Sequence, residues 1–187
     1  AERTKCTYLG ASILLDPNSI DLSLIKKSKV LYLEGYLWDD DLAKKAFLNA
    51  SKISKENQGE VSLSLSDSFC VNRHRESFKE LIENYIDILF ANEEEILSLY
   101  ETNDLNQALH QQLGKCKIAV ITLGEKGSII LENDNQIKIQ PYKLGDTVDT
   151  TGAGDLFAGG FLYGYTKGQS IINCGKIASL CAAHVVT

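Results

Sequence analysis

Apolar and polar residues follow two alternating periods along this chain, and the changes of period fall at glycines and short acidic clusters. Residues 30–33 are a short apolar run closed by Gly35, which predicts a strand. Asp39, Asp40 and Asp41 then supply acidic start signals for a helix reaching about residue 54. A second strand is predicted over 61–65. Residues 75–85 place Phe78, Leu81, Ile82 and Tyr85 on one helical face. The run 86–91 reads as a buried strand, followed by short helices over 93–100 and 105–113. Strands over 118–123 and 128–131 come next, and the alternation of 136–140 suits an edge strand. Closing helices are predicted over 156–165 and 171–185. Such alternation implies an α/β fold, a three-layer α/β/α sandwich whose mainly parallel central sheet is covered on both faces. Right-handed crossovers put the ends of the strands on one side. Asp67, Asn92, Gly124 and residues 152–155 all follow strands, so they are expected to share one rim.

Ahead of the first closing helix stands Asp149-Thr150-Thr151-Gly152-Ala153-Gly154-Asp155. Gly152 and Gly154 let a backbone turn approach a ligand closely. The helix behind them begins with free N–H groups and the positive end of its dipole, which together suit phosphate. Asp155 falls in the first turn, where its carboxylate can face the bound group. Glycines with an acid at a helix start point to phosphoryl transfer, with Asp155 as the base. Two related loops do not fit. A Walker A loop needs a lysine after its last glycine, where this chain has Asp155. A dinucleotide fingerprint needs a third glycine at the position of Phe157. A Thr/Asp-capped helix after a glycine turn is the plain structural alternative.

Residues 149–161, Asp-Thr-Thr-Gly-Ala-Gly-Asp-Leu-Phe-Ala-Gly-Gly-Phe, resemble the second signature of the ribokinase-like (PfkB) family of sugar and nucleoside kinases. The resemblance implies Asp155 as catalytic base and Gly152, Ala153 and Gly154 as an anion hole. It implies ATP and Mg2+ as cofactors. Asn92-Glu93-Glu94-Glu95 is similar to the family's Asn-x-x-Glu motif, so Asn92 and Glu95 are expected to organise Mg2+ and the phosphates through water. The same residues also read as an acidic helix start capped by Asn92, and both readings can hold together. Thr122, Gly124 and Gly127 resemble the family's nucleotide-side loop. Their alternative is an ordinary glycine turn between strands. Asp67 and Arg73 are expected on the nucleotide side, and Arg75 could also approach phosphate, although a solvated basic patch at a helix start fits both arginines. Asp149 and Thr151 resemble positions that hold a monovalent cation, K+ in many members. The wording of residues 65–75, with residues 7–11 and 32–36, is most similar to bacterial adenosine-kinase-like members. A nucleoside acceptor, adenosine before others, is therefore expected. A ribokinase- or fructokinase-type sugar kinase and a non-catalytic nucleotide-binding regulator on the same fold are the alternatives.

Composition narrows the partners. The chain has 187 residues, 44% of them hydrophobic and 24% charged, enough for one sizeable core. A net charge of −6 gives no support for nucleic acid or an anionic membrane surface as partner. The partner expected is a small-molecule nucleoside or sugar. No apolar run is long enough for a bilayer, and no leader pattern opens the chain. Five cysteines, at 6, 70, 116, 174 and 181, form no C-x-x-C pair and suggest reduced thiols in a cytoplasmic setting. The histidines at 74, 110 and 184 lack zinc-site spacing. By resemblance, residues 1–15 belong to a lid of substrate-covering strands and 16–187 to a kinase core incomplete at both ends. A lid can stand alone or pair with another, so a monomer and a homodimer both fit.

Overall fold

The structure is a computed structural model that describes Tyr8 and residues 10–187. Most of the segment expected in a lid, residues 1–7 and 9, lies outside the described residues. Within the rest of it, Gly10–Leu14 forms a 3-10 turn. A short helix, α1 (Leu22–Lys27), follows a cap by Asp21. Its six residues are too few to leave a helical period in the sequence. Then come β1 (Val30–Glu34), α2 (Asp41–Glu56), β2 (Glu60–Ser64), α3 (Ser68–Tyr85), β3 (Ile88–Asn92), α4 (Glu93–Tyr100) and α5 (Leu105–Gln112). The chain continues through β4 (Ile118–Thr122), β5 (Ser128–Glu132), β6 (Asn135–Ile139), α6 (Ala153–Thr166) and α7 (Ile171–Val185). Two helices start earlier than their periodicity predicts. Asp67 caps α3 ahead of its apolar face, and the Gly-Ala-Gly turn is already the first turn of α6.

Among the described residues, six strands lie side by side in chain order. β1 to β4 are parallel, while β5 and β6 run antiparallel as a meander. Each parallel strand is added on the same side of its predecessor, so right-handed crossovers stack their helices on one face. Leu89, Ala91, Ala119, Ile121, Ile129 and Leu131 point to that face, against Phe78 and Leu81 of α3, Ile96 of α4 and Leu109 of α5. Their neighbours Ile88, Phe90, Ile118, Val120 and Ile130 point the other way, onto Phe157 and Phe161 of α6 and Cys174 and Ala178 of α7. Burial on both faces explains why β3 to β5 read as unbroken apolar runs rather than alternations. Each of the larger side chains, Leu, Ile, Val or Phe, contributes about 1.5–3 kcal/mol by leaving water.

The last two helices lie very close together. A Cβ on Gly160 would stand 3.0 Å from the Ala178 Cα, and one on Gly164 3.2 Å from the Cys174 Cα. At the foot of the sheet, Lys117 Nζ donates to Glu60 at 2.5 Å and to the Tyr165 hydroxyl at 2.6 Å, and Tyr165 donates to Glu60 at 2.9 Å. This cluster ties the C-terminal end of α6 to β2 and the start of β4. Among the described residues, no helix is long and apolar enough to cross a membrane.

Candidate active site

Glu34, Asp67, Asn92 and Thr122 stand at or just beyond the C-terminal ends of β1, β2, β3 and β4, on the rim predicted from the crossovers. Among the described residues, six of the seven α-helices start with a side-chain cap, from Asp21, Asp40, Asp67, Asn92, Asp104 or Ser170. α6 differs. Its cap is Gly152, at φ 78° and ψ 0°, with no side chain to bond the first turn. An L-residue there would pay about 1–2 kcal/mol for the left-handed backbone. The Ala153 N–H turns back to the Thr150 carbonyl at 3.2 Å, and the Leu156 N–H reaches the Gly152 carbonyl at 2.9 Å. Between them, the N–H groups of Gly154 and Asp155 belong to the part of a helix that has no intrahelical acceptor. A Cβ built on Gly154 would meet no atom within 4 Å. Asp155 is exposed. Of the three residues expected as an anion hole, Ala153 therefore has its amide engaged, while Gly154 faces open space.

That open space is a cleft of about 620 Å³. Thr122, Gly124 and Gly127 line one side, and Ala153, Gly154 and Phe157 line another. The two loops singled out in the sequence thus meet across one cavity. Gly127 is at φ 90°, and a Cβ there would run into the Ile139 carbonyl, so its role in the turn is steric as well. Sequence reasoning missed the third wall, formed by residues 141–147 and by Ser179 and Ala183 of α7. Ser179 holds that wall in place. Its hydroxyl accepts from the Tyr142 N–H at 3.2 Å and donates to the Gln140 carbonyl at 3.3 Å. The available signal was a serine within the apolar stretch 177–183 of α7. The Val148 N–H bonds the Val186 carbonyl at 2.8 Å and fixes the far end.

Acidic groups crowd the other half of the rim. Asn92 and Glu95 form a closed capping box: the Glu95 N–H donates to Asn92 Oδ1 at 2.8 Å, and the Asn92 N–H and Nδ2 donate to the Glu95 carboxylate at 2.9 and 2.7 Å. Glu95 is only 6% exposed. Burial pushes its carboxyl up to about 7, partly offset by the Asn92 N–H and reinforced by Asp67, Glu94 and Glu34. Asp67 caps α3 through the Phe69 and Cys70 N–H groups at 2.7 and 3.3 Å. The hydroxyl of Tyr36 is held above its ordinary range by burial, then by Asp67, Glu95, Glu34 and Asp155. Tyr32 is raised likewise, by burial and Glu34 first, with Asp155 contributing. Ser66, in a left-handed conformation at φ 66°, donates to Glu34 at 2.6 Å.

Other expected residues are turned elsewhere. Arg73 Nε and Nη2 bond the Asp39 carboxylate at 3.1 and 2.6 Å, and Arg73 does not line the cleft. Arg75 is occupied by the Ser98 carbonyl, Asn72 and Glu101. Asp149 Oδ1 accepts from the Thr151 N–H and hydroxyl at 2.9 and 2.8 Å, a local turn ahead of α6. No group of three acidic, histidine or cysteine side chains among the described residues is close enough to chelate an ion directly. The oxygen donors on the rim suit a hydrated Mg2+ shared with a ligand's phosphates rather than a protein cage.

Comparison with known proteins places the fold and the family. An adenosine kinase structure from Sinorhizobium meliloti superposes with a TM-score of 0.91 at 43% identity, covering 93% of this chain and 54% of that one. A nucleoside kinase of Methanocaldococcus jannaschii is 37% identical over 112 residues, 60% of this chain and 36% of the relative. An uncharacterized sugar kinase of Archaeoglobus fulgidus is 29% identical over 185 residues, 94% of this chain and 71% of the relative. The chain thus spans about half the length of the adenosine kinase it matches. The pfkB carbohydrate kinase family matches residues 1–187, and the chain belongs to that family of phosphotransferases.

Proposed function

We propose that the protein transfers the γ-phosphoryl group of ATP to a hydroxyl of a nucleoside, adenosine before others, in a cytoplasmic setting. The observation that carries this reading is the uncapped start of α6, where Gly154 lines a cleft whose far side is the Thr122–Gly127 loop and the next residue, Asp155, is exposed. Asp155 takes the proton from the acceptor hydroxyl as its oxygen attacks the γ-phosphorus. The bond from that phosphorus to the β,γ-bridging oxygen breaks, and ADP leaves. The free amides at the start of α6 stabilise charge on the transferring group. Asn92 and Glu95, with Asp67 nearby, would hold Mg2+ through water, and the ion supplies charge neutralisation at the phosphates. Asp149 and Thr151 are assigned to a monovalent cation on the sequence pattern alone.

The acceptor is inferred from the bacterial adenosine kinase and archaeal nucleoside kinase relatives. The archaeal sugar kinase keeps a sugar acceptor as the second reading. ADP release by the full-length protein with ATP and Mg2+, across adenosine, ribose, fructose and 2-keto-3-deoxygluconate, separates them. Release with adenosine supports the first reading. Release only with a sugar transfers the proposal to the second, and ATP binding without release from any acceptor overturns both.

A further inference from the structure

α3 is not one continuous helix. At His74 the backbone leaves helical geometry, with φ −125° and ψ 24°, and divides a first segment, residues 68–73, from a longer second one. The first segment stands beside the acid-lined rim. Asp67 caps it, and the Ser68 hydroxyl donates to Glu94 at 2.7 Å. A break in a helix removes the backbone bonds that would keep its two parts in line. Something else must set the first segment relative to the second.

The residues that do so are adjacent, in the 3-10 turn Gly35–Asp39 that follows β1. Trp38 grips the second segment. Its Nε1 donates to Ser77 Oγ at 2.5 Å, and its ring packs on Phe78 with centroids 5.9 Å apart. Asp39 grips the break and the end of the first segment. Its carboxylate accepts twice from Arg73, at 3.1 and 2.6 Å, and faces His74 Nε2 at 2.6 Å. The Arg73 guanidinium, ahead of the His74 bond, holds the Asp39 carboxyl below the usual carboxylate range. On the opposite side, Arg75 donates to the Ser98 carbonyl at 2.8 Å and to Asn72 Oδ1 at 2.7 Å, which fastens the break to α4.

We propose that Asp39 is a positioning residue: by clamping Arg73 and His74 at the break in α3, it holds Asp67 in place beside the Asn92–Glu95 pair. Arg73 then serves the protein's own architecture, and its charge is spent on Asp39 rather than on a nucleotide. The consequence for binding rests on the Mg2+–ATP reading above. The mechanical part does not.

Two measurements on the full-length protein test it. Hydrogen exchange read by mass spectrometry should show residues 68–74 exchanging about tenfold faster in Asp39→Ala, with residues 76–85 unchanged. Calorimetric titration with a non-hydrolysable ATP analogue at graded Mg2+ should show the half-saturating Mg2+ rising about fivefold, with affinity in the absence of Mg2+ preserved. Asp39→Glu should restore most of both effects, Asp39→Asn should not, and Arg73→Ala should match Asp39→Ala with no further loss in the double variant. Unchanged exchange over 68–74 overturns the clamp. Faster exchange with unchanged Mg2+ dependence overturns the link to the site. Arg73→Ala weakening Mg2+-free nucleotide binding while Asp39→Ala does not would return Arg73 to the phosphates and overturn the proposal. If the unaltered protein binds no ATP analogue, the proposed function falls, and the exchange result alone decides whether the clamp exists.

Discussion

The starts of α4 and α6 carry an acid at the same position, the third residue of the helix, and use it in opposite ways. In α4 the cap is Asn92 and the acid is Glu95. Each bonds the other's backbone, and the carboxylate is buried. In α6 the cap is Gly152 and the acid is Asp155, which is exposed. With no cap side chain, the first turn of α6 leaves its N–H groups to whatever enters the cleft. The acid alone does not distinguish a structural helix start from a chemical one. The residue three positions before it does: asparagine draws the acid into the backbone, and glycine leaves it free. Asp155 also has the shorter side chain, less suited to reach back to its cap.

The largest test of that contrast removes the free acid. Asp155→Asn in the full-length protein should lower turnover by about 10²–10⁴-fold. Nucleotide affinity, measured by calorimetry, should hold. Turnover near that of the unaltered protein would remove Asp155 from the chemistry and leave α6 without its special status.

The next effect concerns the acid that is not free. The Glu95 carboxyl sits at about 7 in the folded chain against an ordinary 4.5. A carboxyl raised by folding contributes stability that is complete below its unfolded value and disappears as pH climbs through its folded value. Relative to Glu95→Gln, the unaltered protein should therefore weaken from about pH 4 to about pH 8, by on the order of 3 kcal/mol. Urea midpoints of the two proteins across that range measure it. Parallel curves would mean that Glu95 is no more buried in effect than Asp155.

Two smaller changes sharpen the comparison. Gly154→Leu points a side chain into open cleft. It should leave stability within about 1 kcal/mol, because glycine is a poor helix former. It should weaken nucleotide binding about tenfold, or about 1.4 kcal/mol. A large fall in stability would show that the space is needed by the fold and not by a ligand. Asn92→Ala should show first in stability. Loss of the cap costs about 1 kcal/mol, and the melting temperature should drop by roughly 2–4 °C. An unchanged melting temperature would deny the closed box its structural role.

Much of this was legible in the sequence, and what was not has a physical cause. The strands were readable because two-sided burial writes an apolar run, and α4 begins at Glu93 as its Asn92 cap foretold. The early start of α3 was hidden because Phe69, Cys70 and Val71 form a three-residue apolar run with no helical period, cut off from the later apolar face by the break at His74 and held by side chains from Asp39 and α4. The same is true of Arg73. A basic residue at a helix start reads as a phosphate ligand until its partner, 34 residues earlier, is seen beside it. The cleft's third wall was invisible because residues 141–151 have no regular structure and take their course from two bonds to α7. The meeting of the Thr122–Gly127 loop with Gly154 was anticipated as a shared rim, although Gly154 reaches it from β6, through residues 141–151, and not by a parallel crossover.

Strand order equals chain order in this sheet, and that has a consequence for synthesis. β2 to β4 can each pair as they leave the ribosome, since the strand each one joins has already been made. Asp67, Asn92 and Glu95 are thus present before residue 149 has been translated. Asp155 arrives afterwards, on a helix whose apolar face needs the finished strands beneath it. A nascent chain therefore gains the acid-lined half of its rim first and the residue assigned to the chemistry last.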